Sequence, residues 1–161
     1  MGWELGAGLG HVQPLLSVAK ALAGRGHQPV FAVKNLLEAA PLLGAEPFTV
    51  LQAPQWPPRP QGAKPFRASS YADILAIRGF ADADELFPLV RAWQALIDLV
   101  RPDLIVCDHS PTLCLAAYRS VPVVMIGTGF TVPPAEHSEF PPLQPSVAPQ
   151  MPQEHQSRQV D

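Results

Sequence analysis

Short runs of consecutive apolar residues alternate along this chain with longer segments whose apolar residues recur every three or four positions. Continuous apolarity over so few residues favours strands that are covered on both faces, as in a parallel sheet. The predicted strands are residues 29–33, 48–51, 104–108 and 122–127. Only "MGWEL" is left for a first strand, which suggests a strand that has been cut short at its start.

The segments between these runs predict helices. In residues 14–26, Leu15, Ala19 and Leu22 share one face, while Pro14 suits a first turn and Gly26 suits the helix end. The further predicted helices are residues 35–44, which Pro41 is expected to break, 69–80, 82–100 and 111–120. Strands that alternate with helices predict an α/β fold with a doubly wound, Rossmann-like parallel sheet of strand order 3-2-1-4-5.

Proline interrupts the alternation in two places. The chain holds 20 prolines, and they cluster in residues 54–65 and 133–152. Because proline fixes φ and lacks a backbone donor, neither stretch is expected to form a helix interior or a central strand. We therefore predict a surface loop in the first stretch, a domain over residues 1–132, and a Pro-rich linker or disordered tail over residues 133–161.

Composition narrows the class of protein. An apolar share of 47% in 161 residues predicts a globular domain with a core, and a net charge of −3 argues against binding to nucleic acid or acidic membranes. The absence of a long apolar run and of a leader pattern predicts no membrane segment and a cytoplasmic location. A metal site of Cys107, His109 and Cys114 lacks paired Cys-x-x-Cys spacing, so buried thiols and no metal are expected.

The glycine-rich stretch "GAGLGH" raises the question of phosphate binding. A dinucleotide fingerprint needs a third glycine where this chain has His11, and an acid at the end of the second strand, where Lys34 and Asn35 stand. A P-loop signature is also absent. These failures argue against a nucleotide-dependent oxidoreductase. The glycines are instead expected to form a tight turn that leaves His11 at the start of the first helix.

The predicted topology gives His11 a charged neighbour. His11 follows strand one and Asp108 closes strand four, and adjacent strands lie about 5 Å apart, so both side chains are expected to meet at the carboxyl edge of the sheet. A carboxylate that holds an imidazole fixes its tautomer, which makes His11 a candidate general base for a hydroxyl acceptor. Alternatively, His11 only bonds a loop carbonyl and Asp108 only caps the next helix. His109 ranks second, as a substitute base or a pocket wall.

Two segments resemble bacterial glycosyltransferases of the GT-B fold, the class that includes macrolide and flavonoid glycosyltransferases. "GLGHVQPLLSVAKALAGRGHQPVFAV" is similar to the opening of that family, and "RPDLIVCDHS" to its fourth strand, which ends in an aspartate at Asp108. The matching positions of the opening are Gly8, Gly10, His11, Pro14, Ala21, Leu22, Arg25, Gly26 and His27. The resemblance runs from about Trp3 to Phe130.

The resemblance implies the transfer of a sugar from a nucleotide-diphosphate sugar to a hydroxyl group of a small hydrophobic acceptor, with inversion and without a metal requirement. No cofactor is implied, because the nucleotide sugar is a co-substrate. His11 matches the family's base and Asp108 its charge partner. The residues expected around the acceptor are Gly8, Gly10, His109, Gly127, Thr128 and Phe130.

In this family a second, C-terminal domain holds most of the donor, and nothing in this sequence matches it. The resemblance therefore implies an incomplete GT-B N-terminal domain, which is the acceptor-binding half of the enzyme and is inactive without a donor-binding half as its partner. A fragment, a truncated gene and one component of a split enzyme all fit this prediction. The competing interpretation is a non-catalytic, degenerate module that binds a small hydrophobic ligand or a partner protein.

Overall fold

A computed structural model describes residues 1–57, 67–127, 131–132 and 141–148 of the chain. Its centre is a five-stranded, all-parallel sheet of order β3-β2-β1-β4-β5, which confirms the predicted α/β class and strand order. The strands are β1 Gly2–Trp3, β2 Val30–Val33, β3 Thr49–Gln52, β4 Ile105–Asp108 and β5 Val123–Met125. In the register of β1 on β4, Trp3 lies opposite Asp108.

Helices flank this sheet, in agreement with a doubly wound, Rossmann-like arrangement. They are α1 Val12–Ala23, α2 Leu36–Leu43, α4 Ala83–Val100 and α5 Pro111–Ala117, whereas α3 Tyr71–Leu75 belongs to a second compact unit. Asn35 caps α2 by accepting from the backbone N–H groups of Leu37 and Glu38 at 3.1 and 3.2 Å. Such a side-chain oxygen satisfies amides that have no partner inside the helix.

Three helix predictions are wrong in detail. The first helix ends at the C-cap residue Gly24, and Gly26, with φ of 88°, lies in the turn beyond it. Pro41 does not break α2, because the helix is short and the carbonyl that loses its partner belongs to Leu37, which is 88% exposed and open to water. The helix predicted through residue 80 gives way after Leu75 to a kinked segment, Ala76–Phe80, in which Arg78 and Gly79 have non-helical backbone angles and Gly79 has a φ of 75°.

Strand β4 contributes to the core on both faces of the sheet. Val106 packs in a cluster with Trp3, while Ile105 and Cys107 pack on the other face with Trp93. Every residue of β4 is buried, as its unbroken apolar run predicts for a strand covered on both sides. Trp93 on α4 is 1% exposed and belongs to the core.

The chain divides into two compact units. The first, Met1–Gln55 with Pro88–Gly127, contains the sheet and every predicted site residue except Thr128 and Phe130. The second is Trp56–Phe87 with Thr128–Asp161, and in its described part Asp73 is buried and accepts from the backbone N–H and hydroxyl of Ser69, both at 2.8 Å. Residues 58–66, 128–130, 133–140 and 149–161 lie outside the described part, so the predicted domain boundary after residue 132 stays a prediction.

Candidate active site

The predicted meeting of His11 and Asp108 is confirmed. His11 Nδ1 lies 3.2 Å from Asp108 Oδ2 at the carboxyl edge of the sheet, although 97 positions separate them in the sequence. His11 is the N-cap residue of α1, yet its side chain makes no capping hydrogen bond. The histidine ring therefore contacts the carboxylate and does not cap the helix.

Burial differs between the two partners. The Asp108 side chain is 6% exposed, whereas the His11 side chain is 23% exposed. A carboxylate that has left water needs a partner, and the imidazole supplies one. When Nδ1 of the neutral ring donates to Asp108, the second nitrogen, Nε2, carries no hydrogen and can accept a proton.

Aromatic rings hold the imidazole on two sides. The Trp3 indole lies nearly parallel to it, with ring centroids 6.1 Å apart and an interplanar angle of 21°, and the His109 ring lies 5.5 Å away at 47°. Trp3 is wholly buried, and its Nε1 donates to the carbonyl of Leu5 at 2.7 Å. Strand β1 thus anchors both the ring and the first residue of the glycine loop.

The glycine loop, residues 5–10, makes the tight turn that the sequence predicts. Gly6 and Gly8 have φ of 88° and 80°, which non-glycine residues rarely adopt. A Cβ at Gly6 would lie 2.2 Å from His11 Nε2, whereas at Gly8 or Gly10 it would meet nothing within 4 Å. Gly6 therefore lets the histidine ring lie against the loop, and Gly8 and Gly10 border open space.

Lys34 reaches the glycine loop from the end of β2. Its ammonium group donates to the carbonyl of Gly6, and the side-chain amides of Gln52 and Gln55 donate to the Lys34 carbonyl. The sequence has no cation within the loop itself, so this contact was not predicted. Lys34 stands where dinucleotide-binding proteins carry a ribose-binding acid, and its charge is turned to the loop backbone.

Glu4 is a functional candidate that the sequence analysis missed. Its carboxylate is 4% exposed and accepts from the backbone N–H groups of Thr112 and Leu113 at 3.0 and 3.4 Å, at the start of α5. The alternative that Asp108 caps this helix is therefore wrong. The sequence does carry a signal for this contact. Glu4 directly follows β1, β1 pairs with β4, and α5 follows β4, so an acid at this position lies beside the start of α5.

The turn between β4 and α5 is closed and strained. His109 is 6% exposed and has a φ of 47°, a left-handed conformation that is uncommon for a residue with a Cβ. Its carbonyl accepts from the backbone N–H of Leu5 at 2.9 Å, and the Ser110 hydroxyl donates to the Asp108 carbonyl at 3.1 Å. Contact with the His11 ring gives His109 the position predicted for a pocket wall, while its role in binding stays a prediction.

The remaining predicted site residues are less informative. Gly127 is exposed and follows β5 with a φ of 156°, whereas Thr128 and Phe130 lie outside the described residues. Within residues 1–57, 67–127, 131–132 and 141–148, no group of three or more His, Cys, Asp or Glu side chains is arranged to hold a metal ion. None of the helices in this described part is long and apolar enough to cross a bilayer.

Comparison of the chain with known protein families, with curated proteins and with solved structures finds no match. A half-buried imidazole, oriented by a buried carboxylate and bordered by the glycine loop, can accept a proton from a hydroxyl group brought to Nε2.

Proposed function

We propose that this chain is the acceptor-binding, base-supplying half of an inverting, metal-independent glycosyltransferase. The observation that carries the proposal is the contact of 3.2 Å between His11 Nδ1 and Asp108 Oδ2, at the positions where the sequence resembles the base and charge partner of GT-B enzymes. The open space beside Gly8 and Gly10 is where we place the acceptor.

In the proposed reaction, His11 Nε2 takes the proton of an acceptor hydroxyl as that oxygen attacks the anomeric carbon of the donor. The new carbon–oxygen bond forms on one face while the bond to the nucleotide diphosphate breaks on the other, which inverts the configuration. Asp108 holds the ring through Nδ1 and stabilises the imidazolium ion that results. The leaving diphosphate carries the negative charge away.

The charges around the site favour an acceptor half over a complete transferase. A departing diphosphate is stabilised by helix N-termini or cations that point at it. At this edge the start of α1 carries the His11 ring, the start of α5 already holds the Glu4 carboxylate, and Lys34 is bonded to the Gly6 carbonyl. We therefore assign donor binding to a second domain, in the same protein or in a separate chain.

Calorimetric titration of the chain tests this division. We expect no saturable binding of uridine or thymidine diphosphate, and weak binding of flavonoid or macrolide acceptors that perturbs the His11 ring resonances in NMR spectra. The matched controls are His11→Ala and the exposed His27→Ala, of which only the first should alter acceptor binding. Saturable micromolar binding of either nucleotide would show that the donor site is here and would contradict the proposal.

A chimera with the donor-binding domain of a GT-B enzyme tests the chemistry. Inverting transfer to the acceptor that depends on His11 would support the catalytic role. Acceptor binding that His11→Ala leaves unchanged, with no transfer by a folded chimera that binds its donor, would favour the competing function, a non-catalytic binding module.

A further inference from the structure

The two cysteines of the chain lie close to each other, and one of them directly precedes Asp108, the partner of His11. Cys107 lies on β4, one residue before Asp108, and Cys114 lies on α5. Their Sγ atoms are 3.6 Å apart, and both thiols are free. Cys107 is fully buried, whereas Cys114 is half-buried, so an oxidant that enters from solvent meets Cys114 first.

The hydrogen bond within the pair makes the two thiols chemically unequal. It raises the pKa of the Cys107 thiol, and burial raises it further. The same hydrogen bond lowers the pKa of Cys114, against the opposing effect of burial. Since the thiolate is the reactive form and Cys114 is the more accessible of the two thiols, Cys114 is expected to react first.

We propose that Cys107 and Cys114 are a redox modification site whose oxidation to a disulfide alters the setting of Asp108. In the first step, the Cys114 sulfur attacks hydrogen peroxide. A sulfur–oxygen bond forms, the oxygen–oxygen bond breaks, and water leaves with the second oxygen, which gives a sulfenic acid. In the second step, the Cys107 sulfur attacks the Cys114 sulfur, a sulfur–sulfur bond forms, the sulfur–oxygen bond breaks, and the departing oxygen takes the Cys107 proton and leaves as a second water. Two thiols are oxidised and one peroxide is reduced.

A disulfide requires the Sγ atoms of Cys107 and Cys114 to approach each other. The Sγ atoms are 3.6 Å apart and a disulfide bond is about 2.05 Å long, so the sulfurs must approach by roughly 1.5 Å. Strand β4 is hydrogen-bonded to β1 on one side and β5 on the other, whereas α5 is a short helix at the end of a turn. We therefore expect α5 to move toward the sheet, together with the turn at residues 109–110.

The moving turn contains the parts that fix Asp108. The Ser110 hydroxyl bonds the Asp108 carbonyl, and His109 is held in its left-handed conformation by the bond from Leu5 to its carbonyl. We expect a shift of α5 to displace this turn and to change the contact between Asp108 and His11. This inference does not depend on the proposed transferase role, because its readouts are covalent mass and histidine resonances.

The experiment treats the reduced chain with hydrogen peroxide in slight excess and then alkylates the remaining thiols. We expect an intact mass lower by two hydrogen atoms, no alkylation, and full reversal by a dithiol reductant. Cleavage before aspartate separates Cys107 from Cys114 at Asp108, so the disulfide should appear as a linked peptide pair. In NMR spectra of the oxidised chain, the His11 ring resonances should shift and return on reduction.

Variants assign the two roles. Cys107→Ser should accumulate a Cys114 sulfenic acid that dimedone traps, and Cys114→Ser should resist oxidation. If Cys107→Ser fails to fold by circular dichroism, Cys107→Ala serves the same purpose. Stable sulfinic acid on Cys114, disulfide-linked dimers, or two thiols that remain alkylatable would overturn the modification site. A disulfide that leaves the His11 resonances unchanged would overturn its effect on Asp108.

Discussion

Two turns meet at the same edge of the sheet, and they are built in opposite ways. The glycine loop after β1 is partly exposed along its length from Gly6 to His11 and reaches its unusual dihedral angles with glycines. The turn after β4 is buried from Asp108 to Ser110 and places a histidine in the left-handed region. One turn packs against the imidazole that we propose as the base, and the other holds the carboxylate that orients it.

The two turns place different requirements on the chain at this site. A proton-accepting group must be reachable by a substrate, which requires an open loop with little side-chain bulk. Its orienting partner works best when water is excluded and the geometry is fixed, and a closed turn pinned by Glu4 and Ser110 provides both. We therefore expect substitution of His11 to affect chemistry most, and loss of the hydrogen bonds that hold the turn after β4 to affect stability most.

The largest effect is expected from removing the reactive ring. With a donor-binding domain supplied, His11→Ala should lower turnover by roughly 10²–10⁴-fold, because a positioned base is worth about that much. Steady-state kinetics with donor and acceptor saturating measure the loss, and the exposed His27→Ala serves as the matched control. Turnover of His11→Ala within about twofold of wild type would contradict the role of His11 as the general base.

The next effect concerns the closed turn. Glu4→Ala leaves the amides of Thr112 and Leu113 without their acceptor, and we expect the free energy of unfolding to fall by about 1–3 kcal/mol. Glu4→Gln, which keeps an acceptor oxygen, should cost less. Urea denaturation measures both.

The matched control for Glu4 is Glu38→Ala in the first turn of α2, where Asn35 already caps the helix. We expect its change to stay within about 0.5 kcal/mol. Equal costs at Glu4 and Glu38 would mean that the buried carboxylate does not hold the closed turn.

A smaller effect separates two glycines of the open loop. Gly6→Ala and Gly8→Ala both place a Cβ at positive φ, which costs roughly 1–2 kcal/mol each. Only Gly6→Ala also collides with His11 Nε2, so it should lower stability further and shift the His11 ring resonances. Urea denaturation and NMR compare the pair, and indistinguishable ring spectra would show that Gly6 does not support the histidine.

The smallest effect tests the left-handed conformation of His109. Asparagine tolerates this region and a β-branched residue does not, so His109→Val should be less stable than His109→Asn by about 1–2 kcal/mol. Both variants lose the imidazole, and the further pair His109→Ala and His109→Gly, which differ only in the Cβ, measures the backbone contribution. Equal denaturation midpoints, or a more stable valine variant, would contradict the strained turn.

Much of this arrangement follows from the sequence, because strand order decides which residues meet. Alternating apolar runs and helical segments predict a parallel sheet, and in such a sheet the residue after strand one and the last residue of strand four share an edge. That reasoning was sufficient for His11 and Asp108.

The contacts that were missed depend on side-chain reach across the fold. Glu4 bonds amides 108 and 109 positions away, and Lys34 bonds a carbonyl 28 positions away, where no local pattern marks the partner. The helix ends were misplaced for a related reason. Gly24 and Gly26 are equally plausible as stop signals from local propensity, and packing decides between them.

The most direct test of the division between open loop and closed turn is the protonation of the two His11 nitrogens. With the histidines labelled with ¹⁵N and the ring neutral, the account predicts that Nδ1 carries the hydrogen, donated to Asp108, and that Nε2 is unprotonated and ready to accept. Asp108→Asn should reduce this preference. A ring that carries its hydrogen on Nε2, or a tautomer mixture that Asp108→Asn does not change, would contradict the account.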